Sequence, residues 1–427
     1  MLRPFSKSPS YQAELSALLR MHQLSLDGKE ESEEADLVRE SANDYWNDLS
    51  KPEKDRLTGL SKNLYEISDG PAQPREPMSP QTQGKLVGAV EARERGEWDK
   101  ALELLREWGK YFPAALVSVL RGTIWRDAGE PKVAVVFFEH ASHLEPENET
   151  YEGVLLETLE TANPDTARTR AEAVLQASDT KSPDLVVYAA QVLFGQASKL
   201  SEIDSQPVYK RLIPILERTL TRMEGKENVE GPDLVGMVFS LLATICKNIG
   251  ETRKAYGYYS RAIQFDPTND ALLIFRGLLM YGADPNATFD FEQAIRLDSP
   301  LVWPYFYMAH HYLGNNRFEE CRVMCEQALH KQATPRVQSE LYDFLGISLT
   351  GLGYPEQVIR RAFENAIRLG PSNERARRNM KWFEATLTTP TAQKGWERSS
   401  DSSMRKIGQQ EARSDPALYE KRKLVAV

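Results

Sequence analysis

A spacing of small, aromatic and proline residues recurs along the chain at a period of about 34 residues. Its clearest copy lies between Phe239 and Pro267 and contains Ala243, Ala255, Tyr259 and Ala262. Small residues let two helices pack closely, a large residue fills the adjoining space, and proline ends the second helix. The period therefore predicts helix-turn-helix pairs that must stack on one another to bury their apolar faces.

Three further stretches carry the same spacing. They are Gly122/Ala134/Phe138/Ala141/Pro146, Ala309/Tyr312/Cys321/Ala328 and Gly346/Phe363/Ala366/Pro371. This pattern resembles the tetratricopeptide repeat (TPR) family, and the resemblance implies an all-α fold, a right-handed α-solenoid of helix-turn-helix repeats. Two departures stand out. The family's tryptophan at the fourth position is replaced by Ser118, Phe239 and Tyr305, and the pairs between about 148 and 225 match poorly.

The chain divides by composition into four predicted segments. Residues 1–70 read as an N-terminal helical segment, 71–81 as a proline-rich linker, 82–387 as the repeat superhelix with a terminal capping helix, and 388–427 as a flexible polar tail. The N-terminal segment has an apolar face that contains Trp46, Leu57 and Leu64. It could fold back onto the repeats either as a cap or as an occupant of their groove.

Composition narrows the class of function. The net charge of −9 argues against a broad nucleic-acid surface. Three cysteines, Cys246, Cys321 and Cys325, make no disulfide framework and favour reduced, packed thiols in the cytoplasm. No apolar run has the length of a membrane span. The sequence contains no phosphate-binding loop, zinc-protease motif or nucleophile elbow, so we expect no enzyme and no cofactor.

A metal site is also not expected. His310, His311 and the pair Cys321/Cys325 include residue types that zinc prefers. The repeat pattern, however, already places both thiols at the contact between two helices, where small apolar residues belong.

The resemblance also implies where a ligand would bind. In the TPR family the first helices of the pairs line a concave groove, and the residues at the groove positions here include Arg126, Met237, Thr244, Lys247, Trp303, Phe306 and His310. The Lys/Asn/Lys/Arg set with which some members hold chaperone carboxylates is not assembled in consecutive repeats. Trp303 and Phe306 are either anchors for a bound peptide or core residues against the next repeat.

Together these observations predict a non-enzymatic interaction scaffold or adaptor that binds a protein segment in the groove. The alternative is a regulatory subunit that senses a peptide or a small signalling ligand through a change in superhelix curvature.

Overall fold

The computed structural model describes residues 8–68, 80–224, 232–284 and 286–388, together with residues 396, 397, 400, 403, 404, 407 and 411. The first three helices are α1 (Pro9–Leu26), α2 (Glu33–Trp46) and α3 (Lys51–Ser68). Residues 71–79 of the predicted linker lie outside this part of the chain, and the next helix already begins at Pro80.

Helix-turn-helix pairs follow from Pro80 onward, as the spacing predicts. The pairs are α4 (Pro80–Glu94) with α5 (Trp98–Trp108), α6 (Ala114–Asp127) with α7 (Pro131–Leu144), α8 (Glu149–Ala162) with α9 (Pro164–Gln176), α10 (Pro183–Ala197) with α11 (Glu202–Glu224), α12 (Pro232–Asn248) with α13 (Thr252–Phe265), α14 (Asp270–Met280) with α15 (Ala287–Arg296), α16 (Trp303–Gly314) with α17 (Phe318–Leu329), and α18 (Pro335–Gly351) with α19 (Glu356–Leu369). A last helix, α20 (Glu374–Thr388), follows. The prediction of an all-α fold is confirmed.

The small and aromatic residues of the repeat pack against one another, as their spacing predicts. A Cβ atom added at Gly122 would lie 2.7 Å from Cε1 of Phe138, and one added at Gly346 would lie 2.7 Å from Cε1 of Phe363. Each aromatic ring thus occupies the space that the missing side chain leaves. Gly250 has φ of +82° in the turn between α12 and α13, a conformation that favours glycine.

The second of the two weakly matching pairs, α10 with α11, differs from the other pairs in its second helix. α11 is 23 residues long and contains Pro207 and Pro214 in its interior. An interior proline removes a backbone hydrogen bond and disturbs the preceding turn. The helix therefore departs from the length and regularity of the other second helices, which explains why the spacing is hard to find there.

The chain forms two compact units, Met1–Thr219 and Leu220–Val427. In the first unit the N-terminal helices pack on the repeats. The guanidinium of Arg56 on α3 donates two hydrogen bonds of 2.8 Å to the carboxylate of Asp99 on α5. Leu57 and Leu64 are buried, whereas Trp46 is 36% exposed. The apolar face predicted for this segment is therefore covered at α3 and left partly open at the end of α2.

Candidate functional site

The second unit carries an aromatic cluster on α16 that contains three of the predicted groove residues. Trp303 and Phe306 are 2% and 0% exposed, with ring centroids 6.2 Å apart in an edge-on arrangement. The Phe306 ring also lies 5.8 Å from that of Phe344 on α18. α16 begins with Pro304 in its first turn, a position where the missing N–H costs no helical hydrogen bond. The cluster joins α16 to α18.

His310, the third predicted groove residue on α16, is fully buried. The Nδ1 atom of its ring lies 2.6 Å from the hydroxyl of Tyr281, and the ring lies 5.6 Å from that of Phe344. Among the residues that the structure describes, no three His, Cys, Asp or Glu side chains are grouped to hold a metal ion. The contacts of His310 are therefore those of a packed aromatic side chain.

Next to this cluster, Tyr307 contacts a segment from the end of the chain. Its hydroxyl donates a hydrogen bond of 2.9 Å to the carbonyl oxygen of Met404, in a buried environment. Met404 is 0% and Ile407 5% exposed. The Met404 N–H donates to the carbonyl of Ser400 at 3.0 Å, which closes a helical turn. Apolar side chains from the predicted polar tail are thus buried in the second unit.

A second group of contacts joins α20 to the same segment. The carboxamide of Asn379 accepts a hydrogen bond of 2.7 Å from the N–H of Glu397 and donates one of 3.1 Å to the carbonyl of the same residue. The guanidinium of Arg378 lies 2.6 Å from the Glu397 carboxylate. At the other end, Arg336 at the start of α18 lies 3.6 Å from the carboxylate of Glu411.

Asn379 is held in place by a buried polar network between α18 and α20. Its Nδ2 atom also donates to both oxygens of the Asp343 carboxylate, at 3.0 and 3.1 Å. Asp343 accepts from Arg375 at 3.0 Å, and Arg375 also bonds Glu340. Burial raises the pKa of Asp343 to about 6, against the lowering effects of Arg375 and Asn379. The network fixes the orientation of the Asn379 amide.

We refer to the surface that contacts the C-terminal segment as the α16–α20 face, defined by Tyr307, Arg336, Arg378 and Asn379. Of the seven described residues beyond Thr388, four are called the C-terminal contact residues: Glu397, Met404, Ile407 and Glu411. Tyr307 and Asn379 do not occupy the groove positions carried over from the TPR family, so no sequence signal pointed to them.

The remaining predicted groove residues lie in other surroundings. On α12, Met237 is buried, Thr244 Oγ1 lies 3.2 Å from the Tyr259 hydroxyl, and the Lys247 ammonium lies 4.8 Å from the centroid of Phe275. In the first unit Arg126 pairs with Glu157 at 3.1 Å. Thr244 contacts the second helix of its own pair, whereas Lys247 and Arg126 contact the first helix of the next pair.

The thiols of Cys321 and Cys325 are buried and 4.0 Å apart on α17. Burial raises the pKa of Cys325, so this thiol stays protonated near neutral pH. Within the described part of the chain, no helix combines the length and the apolar character needed to cross a membrane.

No protein-family model and no curated protein sequence matches the chain. Similar solved structures include a tetratricopeptide repeat protein from Parabacteroides merdae, with 14% identity, 68% of this chain and 100% of that chain covered, and a TM-score of 0.40. Another is the C-terminal part of a TPR repeat-containing protein from Cytophaga hutchinsonii, with 13% identity, 69% and 99% covered, and a TM-score of 0.37. Likenesses at these TM-scores carry no argument, and the fold assignment rests on the helix pairs themselves.

Proposed function

We propose that this protein is a non-enzymatic interaction scaffold that binds a polypeptide segment on the α16–α20 face. One observation carries the proposal: the face already holds a polypeptide through its backbone. Asn379 bonds both the N–H and the carbonyl of Glu397, and Tyr307 bonds the carbonyl of Met404. Side chains that bond backbone groups can hold many sequences, because every non-proline residue offers the same donor and acceptor.

Selectivity would come from the buried side chains between these backbone contacts. Met404 and Ile407 are almost fully removed from water, and burial of two side chains of this size stabilises a contact by roughly 3–6 kcal/mol before ordering costs. Methionine adapts its shape to irregular surroundings, which suits a site that accepts related segments. The face thus combines a backbone clamp with an apolar anchor site.

The proposal can be tested with a displayed library of random peptides. The bait is the full chain carrying Met404→Glu, which removes an apolar side chain of the resident segment, and the counter-bait adds Asn379→Ala and Tyr307→Phe. We expect peptides with a shared apolar pattern that are enriched on the bait and lost on the counter-bait. Matching melting curves establish that both baits are folded. Absence of enrichment, or equal enrichment on both baits, would refute peptide binding at this face.

A further inference from the structure

We propose that the C-terminal contact residues act as an exchangeable intramolecular ligand of the α16–α20 face, which a partner segment of the same pattern displaces. The pattern is an acidic residue, two buried apolar residues three positions apart, and a second acidic residue one helical turn later. This inference rests on the proposed function, since it names the partner's chemistry and the regulation of the same site.

The spacing of the contact residues supports a ligand that binds by one face. Met404, Ile407 and Glu411 follow one another at intervals of three or four residues, which places them on one side of a helix. Ser403, which lies next to Met404, is exposed. Among the described residues, Met404 and Ile407 are thus buried while Ser400 and Ser403 are exposed, as expected for an amphipathic segment that binds by one side.

Charged pairs lie at both ends of the segment. Arg378 contacts Glu397 at one end, and Arg336 contacts Glu411 at the other. The side chains of Arg378 and Glu397 are each 53% exposed, so the pair adds little affinity. Two cationic ends nevertheless favour partners with acidic residues outside the apolar pair and disfavour basic ones.

The described contacts of the segment favour exchange. Among its described residues, Met404 and Ile407 are the buried apolar side chains, and the ion pairs of Glu397 and Glu411 each include an exposed side chain. Eight residues separate Thr388, at the end of α20, from Glu397, the first residue with a described contact to the face. A short tether of this kind gives an effective concentration on the order of millimolar. An external segment must exceed this local competitor, so it should bind the intact chain more weakly than a chain whose own segment is detached.

The test uses a fluorescent synthetic peptide of residues 395–413 with blocked termini and measures its anisotropy with full-length protein. Met404→Glu places a charge on the buried stripe, and Ser403→Glu, at the adjacent exposed position, adds the same charge as a matched control. We expect the Met404→Glu chain to bind the peptide at least about tenfold more tightly than the wild type, and the Ser403→Glu chain to behave like the wild type. Adding Asn379→Ala and Tyr307→Phe to the Met404→Glu chain should abolish the gain.

Two binding outcomes would overturn the inference. Equal peptide affinity for the wild type and Met404→Glu would show that the segment is not resident, and would leave peptide binding at the face intact. No binding to either chain would show that this pattern is not a ligand, while the library selection would still decide the proposed function on its own.

A second copy of the chain is the remaining alternative occupant. Light scattering separates it from the intramolecular arrangement. A wild-type dimer that Met404→Glu converts to a monomer would mean that the segment binds a neighbouring molecule, and would overturn the proposal. A monomer in both cases supports it.

Discussion

Replacing Gly346 by alanine puts a methyl group where the ring of Phe363 lies. The added Cβ would be 2.7 Å from Cε1 and 2.8 Å from both Cδ1 and Cζ of that ring. The ring is fully buried and lies 6.0 Å from the ring of Phe383, so it has little room to move. Overpacking of this kind costs about 1–3 kcal/mol, whereas alanine gains about 1 kcal/mol over glycine inside a helix. We expect a net loss of about 0–2 kcal/mol.

Gly257 on α13 supplies the matched control. It lies within a helix, and an added Cβ there would meet nothing within 4 Å. Gly257→Ala should therefore show the helical gain alone and stabilise the protein by about 0.5–1 kcal/mol. The two variants make the same chemical change, so their difference of about 1–3 kcal/mol isolates the contact between the helices of one pair.

The assay is urea unfolding of the full chain followed by circular dichroism, supported by melting curves. Phe363→Leu in the Gly346→Ala background should recover part of the loss, which a double-mutant cycle measures as coupling between the two sites. If Gly346→Ala were as stabilising as Gly257→Ala, the glycine would not be needed for close packing. The explanation of the repeat spacing would then be refuted.

Three further predictions test other parts of the structure. Tyr259→Ala should cost about 3–5 kcal/mol because the ring is fully buried, and Tyr259→Phe only about 1 kcal/mol for the hydrogen bond to Thr244; equal losses in urea unfolding would contradict this. The pKa of Asp343 is raised to about 6, against an ordinary 3.8. The protonated carboxyl group therefore contributes stability that is fully present below pH 3.8 and is lost as the pH rises through 6. Asp343→Asn should therefore gain up to about 3 kcal/mol relative to the wild type between pH 4 and 7, and a constant difference in unfolding free energy would refute the raised pKa. Arg56→Ala should cost about 1–3 kcal/mol and accelerate proteolysis within residues 8–68, because it removes both hydrogen bonds to Asp99; unchanged cleavage rates would show that the N-terminal helices do not depend on this pair.

The helix pairs could be predicted from the sequence because their packing is repeated and local. Gly122 and Phe138 lie 16 positions apart and pack within one pair, so their spacing returns wherever the contact returns. Met404 and Ile407 gave no comparable signal, since two apolar residues among serines and charges are too few to define a helical face. Their burial depends on which helices lie beside them.

The polar contacts of Asn379 could not be predicted from the sequence, because the residues that make them are far apart in the chain. Asp343 and Asn379 are 36 positions apart, and Asn379 and Glu397 are 18 apart. Each residue alone reads as an ordinary polar position of a helix or a tail. Only the neighbouring arrangement of α18 and α20 turns them into a site that holds a backbone. The groove residues Trp303 and Phe306 contact the ring of Tyr307, and His310 lies on the same helix; that they anchor a partner stays a prediction.

Hydrogen exchange at the amides of Glu397 and Met404 tests the central claim, that the α16–α20 face holds a polypeptide, most directly. In the full-length wild type both N–H groups donate hydrogen bonds, to Asn379 Oδ1 and to the carbonyl of Ser400. We predict that both amides exchange at least about tenfold more slowly than in the free peptide of residues 395–413, and that Met404→Glu, with its melting temperature unchanged, removes the protection. Exchange in the wild type at the rate of the free peptide would contradict the claim.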